Sequence, residues 1–423
     1  MSRRCFARPA SRLAALVLVG VLGACAGQNG PAPVAKPLSP YAGPKPAPTT
    51  PVSATAVPAP GTQPVKVALL LPLSGPNAEL GKAMLEAAQL ALFTTGSDRL
   101  TLVPRDTTGT ADGAANAAKS VIADGARLIL GPLIADEVVA VKPIAQAANV
   151  NVIAFATKTE VAGGNVLLMG FLPRQEVLRE VSYAHDQGMS KFAALAPNTP
   201  YGHLMGDSLK EIAGSAGASV TRIEYFDPRV ADITASIKHL LPVSAAAANP
   251  VAGGAGAKPP GGGVPFDALL LPEGGDQLKQ IAGQLKSAGI DSTQTRLLGS
   301  GLWDDPSIVG NPDLAGGWFA ASPPVVRHDF ASRYQGAYGH LPPRLASLAF
   351  DAAALAAVLA KGDSPDPFSL QAIQNPNGFT GVDGLFRFGP DGLVQRGLAV
   401  LEVDPSGDKV VSPAPQSFQN LAY

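Results

Sequence analysis

From Val67 to Leu298 short apolar runs alternate with helical stretches, and this alternation constrains the fold more than any other feature of the chain. Val67-Ala68-Leu69-Leu70-Leu71 is continuously apolar, the pattern of a strand buried on both faces. A helical stretch follows from Asn77 to Phe93, with Ala83, Leu85, Ala88 and Leu92 along its apolar stripe. The pattern then predicts strand over 100–103, helix over 114–122, strand over 128–130, helix over 136–148 and strand over 152–155. A second series opens near Arg174, with helices over 175–187, 203–212, 232–240 and 277–285 and strands over 192–195, 220–225, 268–271 and 297–298. Parallel strands need crossover connections, and helices supply them, so the fold class is α/β with doubly wound parallel sheets. Two consecutive series of similar length predict two Rossmann-like lobes. After Gly317 the order changes to a strand over 318–321 and helices over 329–337 and 345–359. A hairpin of 385–388 and 398–403, joined through Gly389-Pro390-Asp391-Gly392, is expected to close the chain.

Glycine and proline number 46 and 40, more than the interiors of helices and strands accommodate. Two segments concentrate them. Residues 26–64 hold eleven prolines and four glycines, and read as an extended, disordered tether, 25–64 with the cysteine that precedes it. Residues 243–265 hold six glycines, four prolines and one charge, and read as a disordered insertion before a strand. Neither GxxxxGK[ST] nor GxGxxG occurs there, so its glycines are not a phosphate cradle. The first 24 residues carry four arginines and no acid, then an apolar run from Leu13 to Leu22 that is shorter than a membrane span. They read as a signal peptide. Leu22-Gly23-Ala24-Cys25 looks like a lipobox, which makes Cys25 the lipidation candidate and a lipid-anchored periplasmic protein, on the outer membrane, the expectation. Ser2-Arg3-Arg4-Cys5-Phe6 also resembles a twin-arginine export motif.

Removing 1–24 removes four of the 32 basic residues against 33 acidic ones, leaving a mildly acidic chain. Nucleic-acid binding, which needs a basic face, is excluded. Cys5 and Cys25 are the two cysteines, so the body has neither a disulfide framework nor a cysteine metal site. His185, His203, His239, His328 and His340 are scattered without ligand spacing, and HExxH and GxSxG are absent. No enzyme, metal or cofactor is expected.

Five stretches together carry a resemblance: VKVALLLPLSGPNAELGKAMLEAAQLAL at 65–92, ARLILGPLIADEVVAVKPIAQAANVNVIAFAT at 126–157, PYGHLMGDSLKEIAGSAGASV at 200–220, FDALLLPEGGDQLKQIAGQLKSAG at 266–289 and GFTGVDGLFRFGPDGL at 378–393. In this order they resemble type I periplasmic binding proteins of the leucine/isoleucine/valine-binding family. The resemblance implies two lobes joined by three crossings, with a ligand in the cleft between them and hinge closure around it. Crossings placed near Pro173, Gly299 and Pro376 divide the body into lobe one, 65–172 plus 300–375, and lobe two, 173–299 plus 376–423.

Ligands of open α/β sheets bind beyond the carboxyl ends of strands, which places the candidate site in the loops there. Ser74 ends the first strand and Leu133 the third, where Gly131-Pro132-Leu133 matches a family position. Ile134 and Ala135 follow where the family carries carboxylate-binding serines. Ala156, Thr157 and Thr159 match the loop that completes the carboxylate pocket, and Tyr201 matches a cleft tyrosine. The family's amino-group carboxylate has no counterpart after Leu297-Leu298-Gly299, leaving Glu273 or Asp304 as substitutes. Trp303 is either a stacking surface or a packing residue between lobes.

The resemblance implies a solute-binding lipoprotein that hands an amino-acid-like ligand to an ABC permease. The chain also resembles penicillin-binding protein activator lipoproteins, which carry this fold on a tether and stimulate a peptidoglycan synthase. The lipobox, the tether and the altered pocket residues favour that reading. Only 39 residues separate Cys25 from the first strand, with no counterpart of the activators' helical-repeat domain.

Overall fold

The structure, a computed structural model, describes residues 64–241, 264–290, 292 and 295–419. The signal peptide, Cys25, the tether up to residue 63 and residues 242–263 of the insertion lie outside the described residues.

Strand β1 (Val65–Leu71) is buried from Val67 onward, as its uninterrupted apolar sequence requires. Helix α1 (Ala78–Thr95), strand β2 (Leu100–Asp106), helix α2 (Ala111–Ala123), strand β3 (Leu128–Leu130), helix α3 (Ala135–Ala147) and strands β4 (Asn151–Ala154) and β5 (Val166–Leu168) follow. The five strands form one parallel sheet in the order β2-β1-β3-β4-β5. Alternate residues of β1 serve its two faces: Val67, Leu69 and Leu71 join one core cluster with α1, while Ala68 and Leu70 join another with α2 and α3.

At 169–173 the chain leaves this sheet and enters helix α4 (Pro173–Asp186), begun by a proline whose missing N–H costs nothing in a first turn. Strand β6 (Lys191–Pro197), helix α5 (Pro200–Ser215), strand β7 (Ser219–Phe226), helix α6 (Thr234–Leu240), strand β8 (Ala268–Leu270), helix α7 (Gly275–Ser287) and strand β9 (Arg296–Leu298) build the second lobe. Strand β10 (Trp318–Ala321) pairs parallel with β9 and so belongs to this second sheet. Helices α8 (Pro324–Tyr338) and α9 (Ala346–Lys361) return to the first lobe, where Phe330, Tyr334 and Leu348 share a core cluster with Val67 and Met84. After the short helix α10 (Leu370–Ile373), strands β11 (Phe379–Gly381), β12 (Gly384–Phe388) and β13 (Val394–Arg396) form a small antiparallel sheet on that lobe. Strands β14 (Ala399–Glu402) and β15 (Lys409–Ser412) then complete the second sheet, β15-β14-β10-β9-β8-β6-β7.

Two expected crossings are therefore displaced. The second falls after Ala321 rather than at Gly299, because Trp303, Ile308, Leu314 and Phe319 are buried in the second lobe's core. The third falls between β13 and β14 rather than at Pro376, because Phe386, Phe388 and Val394 pack into the first lobe. The expected hairpin is corrected with it: β12 turns back on β13, while 399–402 pairs with β10 across the molecule. Helix α4 fastens this third crossing. Gln175 hydrogen-bonds the carbonyl of Val394 and accepts the N–H of Arg396 at 3.0 Å, and Arg179 Nε donates to the carbonyl of Leu398 at 2.8 Å.

Candidate functional site

Where the lobes face each other, a cavity of about 470 Å³ opens between them. The first lobe presents Leu133, Phe155, Ala156 and Thr157 from the ends of β3 and β4, with Phe171 from the first crossing and Arg344 from just before α9. The second presents Glu176, Tyr201, Leu302 and Asp304, with Ala320 and Ala321 from β10. The walls are mostly apolar and carry charge of opposite sign on the two sides.

Local sequence explains how the polar groups arrive. Thr199 caps α5, accepting the N–H of Gly202 at 3.2 Å. A Cβ at Gly202 would stand 1.9 Å from the carbonyl oxygen of Pro197, so glycine lets the helix start hard against β6 and delivers Tyr201 to the wall. At the end of β3, Gly131 has φ +86°, and a Cβ there would meet the carbonyl of Leu70 at 2.2 Å. This tight turn carries Leu133 into the cleft.

Of the residues expected from sequence, Leu133, Ala156, Thr157 and Tyr201 meet in this cavity. Four others stand elsewhere. Ser74 is exposed at the end of β1, its N–H 3.3 Å from Asp106 Oδ1. Thr159 is exposed at the start of a 3-10 turn over Thr159–Val161. Glu273 is half-buried and accepts its neighbour's N–H, from Gly274, at 3.2 Å. Trp303 is fully buried in the second lobe's core, donating from Nε1 to the carbonyl of Leu271 at 3.2 Å, so it packs and cannot stack on a ligand. Cys25 lies outside the described residues.

Three charged groups organise the site, and only Asp304 stood out in the sequence. Asp304 Oδ2 is ion-paired with Arg327 Nη1 and lies 3.7 Å from Arg344 Nε, joining the second lobe to the first. Arg344 donates from Nη1 to Asp383 Oδ1 at 2.8 Å and to Ser347 Oγ at 3.0 Å, and from Nη2 to Ser322 Oγ at 3.1 Å. Its guanidinium lies 3.8 Å from the centroid of the Phe171 ring. Glu176, in the first turn of α4, accepts the N–H of Gly301 at 2.9 Å.

Burial governs the titration of these groups. It pushes the Glu176 carboxyl up to about 7, against the opposing pull of the Gly301 N–H and Arg344. One turn on, burial raises Glu180 well above its ordinary value, with the N–H of Ala320 donating to it at 2.8 Å. Burial and then the neighbouring Glu176 raise the Tyr201 phenol. Behind the wall, burial and the adjacent Asp383 lift Asp351 to about 7. Asp383 itself, although buried, is held below the usual range by Arg344 and Arg396. On the first lobe Glu137 is fully buried, and its carboxylate accepts the N–H of Ile134 at 3.3 Å. The chain's own acid thus occupies the amino end of α3, where the family's serines would act.

Two α/β lobes meeting at a part-apolar cleft with charged walls define a protein built to hold a small molecule between domains. Residues 64–409 match the family model described as periplasmic binding protein, and the chain belongs to that family. The fold is shared with a putative branched-chain amino acid ABC transporter from Rhodospirillum rubrum, at 18% identity and TM-score 0.70, over 82% of this chain and 100% of that one. A leucine-binding protein from Thermotoga maritima matches at 20% identity and TM-score 0.55, over 83% of this chain and 99% of that one. A solute-binding protein from R. palustris, solved with benzoate, matches at 17% identity and TM-score 0.55, over 83% and 97%. An uncharacterized protein of Rickettsia prowazekii is 20% identical over 176 residues; the chain spans 47% of that relative's length, and the match covers 42% of this chain.

Proposed function

We propose that the chain is a lipid-anchored periplasmic binding protein of the leucine-binding-protein type, holding a small amino-acid-like solute in the interlobe cleft for an ABC permease. The observation that carries this reading is the cavity itself: both lobes contribute walls, and Arg344 on one side faces Glu176 on the other. Neighbours of this fold were solved with isoleucine and with benzoate, which supports a small solute with an apolar body. Thermal unfolding of the purified chain against amino acids, aromatic acids and muropeptides tests it. A solute at about 100 times its dissociation constant stabilises by roughly 2.7 kcal/mol, a shift of several degrees. No shift with any of them would overturn solute binding. Anchoring through Cys25 predicts that Cys25→Ser moves the protein from the membrane fraction to the soluble one; retention on membranes would overturn it.

A second reading, a penicillin-binding protein activator working through protein contact, draws support from the Asp304 ion pairs, which join the lobes without a solute. Co-purification of a peptidoglycan synthase from envelope membranes, together with a flat thermal panel, would favour it over transport.

A further inference from the structure

Three guanidinium groups cluster on the first-lobe side of the cleft, Arg344 in the wall and Arg327 and Arg396 near it. Asp383 faces Arg344 and Arg396, and Asp408 faces Arg327. Asp304 adds a further negative charge from across the cleft, against Arg327 and Arg344. Without it Arg327 and Arg344 each lose one carboxylate partner, Arg327 keeping Asp408 and Arg344 keeping Asp383.

The attachment of Asp304 is unlike that of the other acids. Asp383 is held by hydrogen bonds from Arg344 and Ser322. Asp304 Oδ2 is in direct contact with Arg327 Nη1 but stands 3.7 Å from Arg344 Nε, beyond hydrogen-bond distance, so toward Arg344 it is held by charge alone. Three of the five N–H groups of Arg344 go to Asp383, Ser347 and Ser322. The Nε–H, 3.7 Å from Asp304 Oδ2, and one Nη2 proton donate no hydrogen bond among the described residues. Both Asp304 and Arg344 line the cavity, where Leu133, Phe155 and Leu345 surround them with apolar surface.

We infer that Asp304 is a built-in occupant of an anion site on Arg344 and Arg327, and that the cleft's solute is an apolar molecule whose carboxylate replaces the Asp304 side chain there. The exchange keeps the charge balance: the incoming carboxylate takes the Arg344 Nε–H and the open Nη2 proton, and Asp304 turns to water. At Arg344 the bidentate fit of guanidinium to carboxylate favours the incomer over a side chain that stands 3.7 Å from Nε. This inference rests on the solute-binding reading and adds the chemical class and the competing residue.

Calorimetric titration of the full chain with phenylalanine, phenethylamine and phenylpropanoate, and with the matching leucine-derived trio, tests it. Carboxylate-bearing probes bind and the amines do not. Asp304→Asn lowers the unfolding temperature of the solute-free protein, because the arginines lose a partner, yet binds phenylpropanoate about tenfold tighter or more, since the internal competitor is gone. Arg344→Gln abolishes binding. A variant that merely damaged the fold would lose affinity, so unchanged or weaker binding by folded Asp304→Asn overturns the inference. Should that variant not fold, the wild-type trio decides: tighter binding of the amines overturns the carboxylate assignment while leaving solute binding intact. Silence from every solute overturns both.

Discussion

Position 176 holds a glutamate in the first turn of a helix, where a sequence reading assigns it to the helix dipole and nothing more. Its titration comes from what packs around it: burial in the wall raises the carboxyl, and the Gly301 N–H and Arg344 only partly offset that. The folded carboxyl titrates near 7 against an ordinary 4.5, so the folded state holds this proton more tightly than the unfolded chain. Its contribution to stability is full below the unfolded value and is lost as pH rises through about 7. The loss amounts to about 3 kcal/mol at 1.36 kcal/mol per unit, less whatever cavity water returns. Glu176→Gln removes it, and urea midpoints from pH 4.5 to 8 then fall less steeply than in the wild type, the remainder coming from Asp351 and Glu180. An unchanged slope would show Glu176 to be solvated. Trp303 teaches the same lesson from the apolar side: an aromatic beside a cleft loop carries no mark in the sequence of whether it faces the ligand or the core.

At the scale of elements, strand and helix type were legible because the apolar period is a local property. β1, α1, α5 and α7 stand close to where the pattern puts them. Sheet membership was not legible, since it depends on which remote strand offers an edge. The runs 385–388 and 398–403 look like one hairpin in sequence, but Gly397 and Leu398 lie between two sheets, and β14 finds β10 instead. Two of the three glycines of α5, Gly202 and Gly214, separate local from non-local control within a single helix. At Gly214 a Cβ meets nothing within 4 Å, so Gly214→Ala raises stability by about 0.5–1 kcal/mol through the unfolded chain. At Gly202 the same change drives a Cβ into the carbonyl of Pro197 and costs about 2–4 kcal/mol, with Tyr201 displaced from the cleft. Denaturant midpoints of the two variants shifting in the same direction would refute this account.

The whole molecule is two lobes with separate cores, and among what crosses between them are three chain segments, the clasp of α4 on the third crossing, the ion pairs of Asp304 and the facing charges of Arg327 and Asp408. The crossings and the clasp fix where the lobes pivot; the ion pairs of Asp304 act at the cleft itself. Removing that charge therefore changes the angle between the lobes more than it changes either core. The body contains no cysteine beyond Cys25, which makes paired labels straightforward. With Cys5 and Cys25 replaced by serine, Lys158→Cys on the first lobe and Asp276→Cys on the second place spin labels at exposed positions flanking the cleft. The expected solute-free wild-type distance distribution is single and narrow, since the lobes are already bridged. Asp304→Asn broadens it toward longer distances, as for a hinge freed of its cross-link, and an ionic strength near 1 M moves the wild type only part of the way because buried pairs are weakly screened. A wild-type distribution as broad as the variant's would mean that the chain crossings alone set the lobe angle and that Asp304 carries no part of closure.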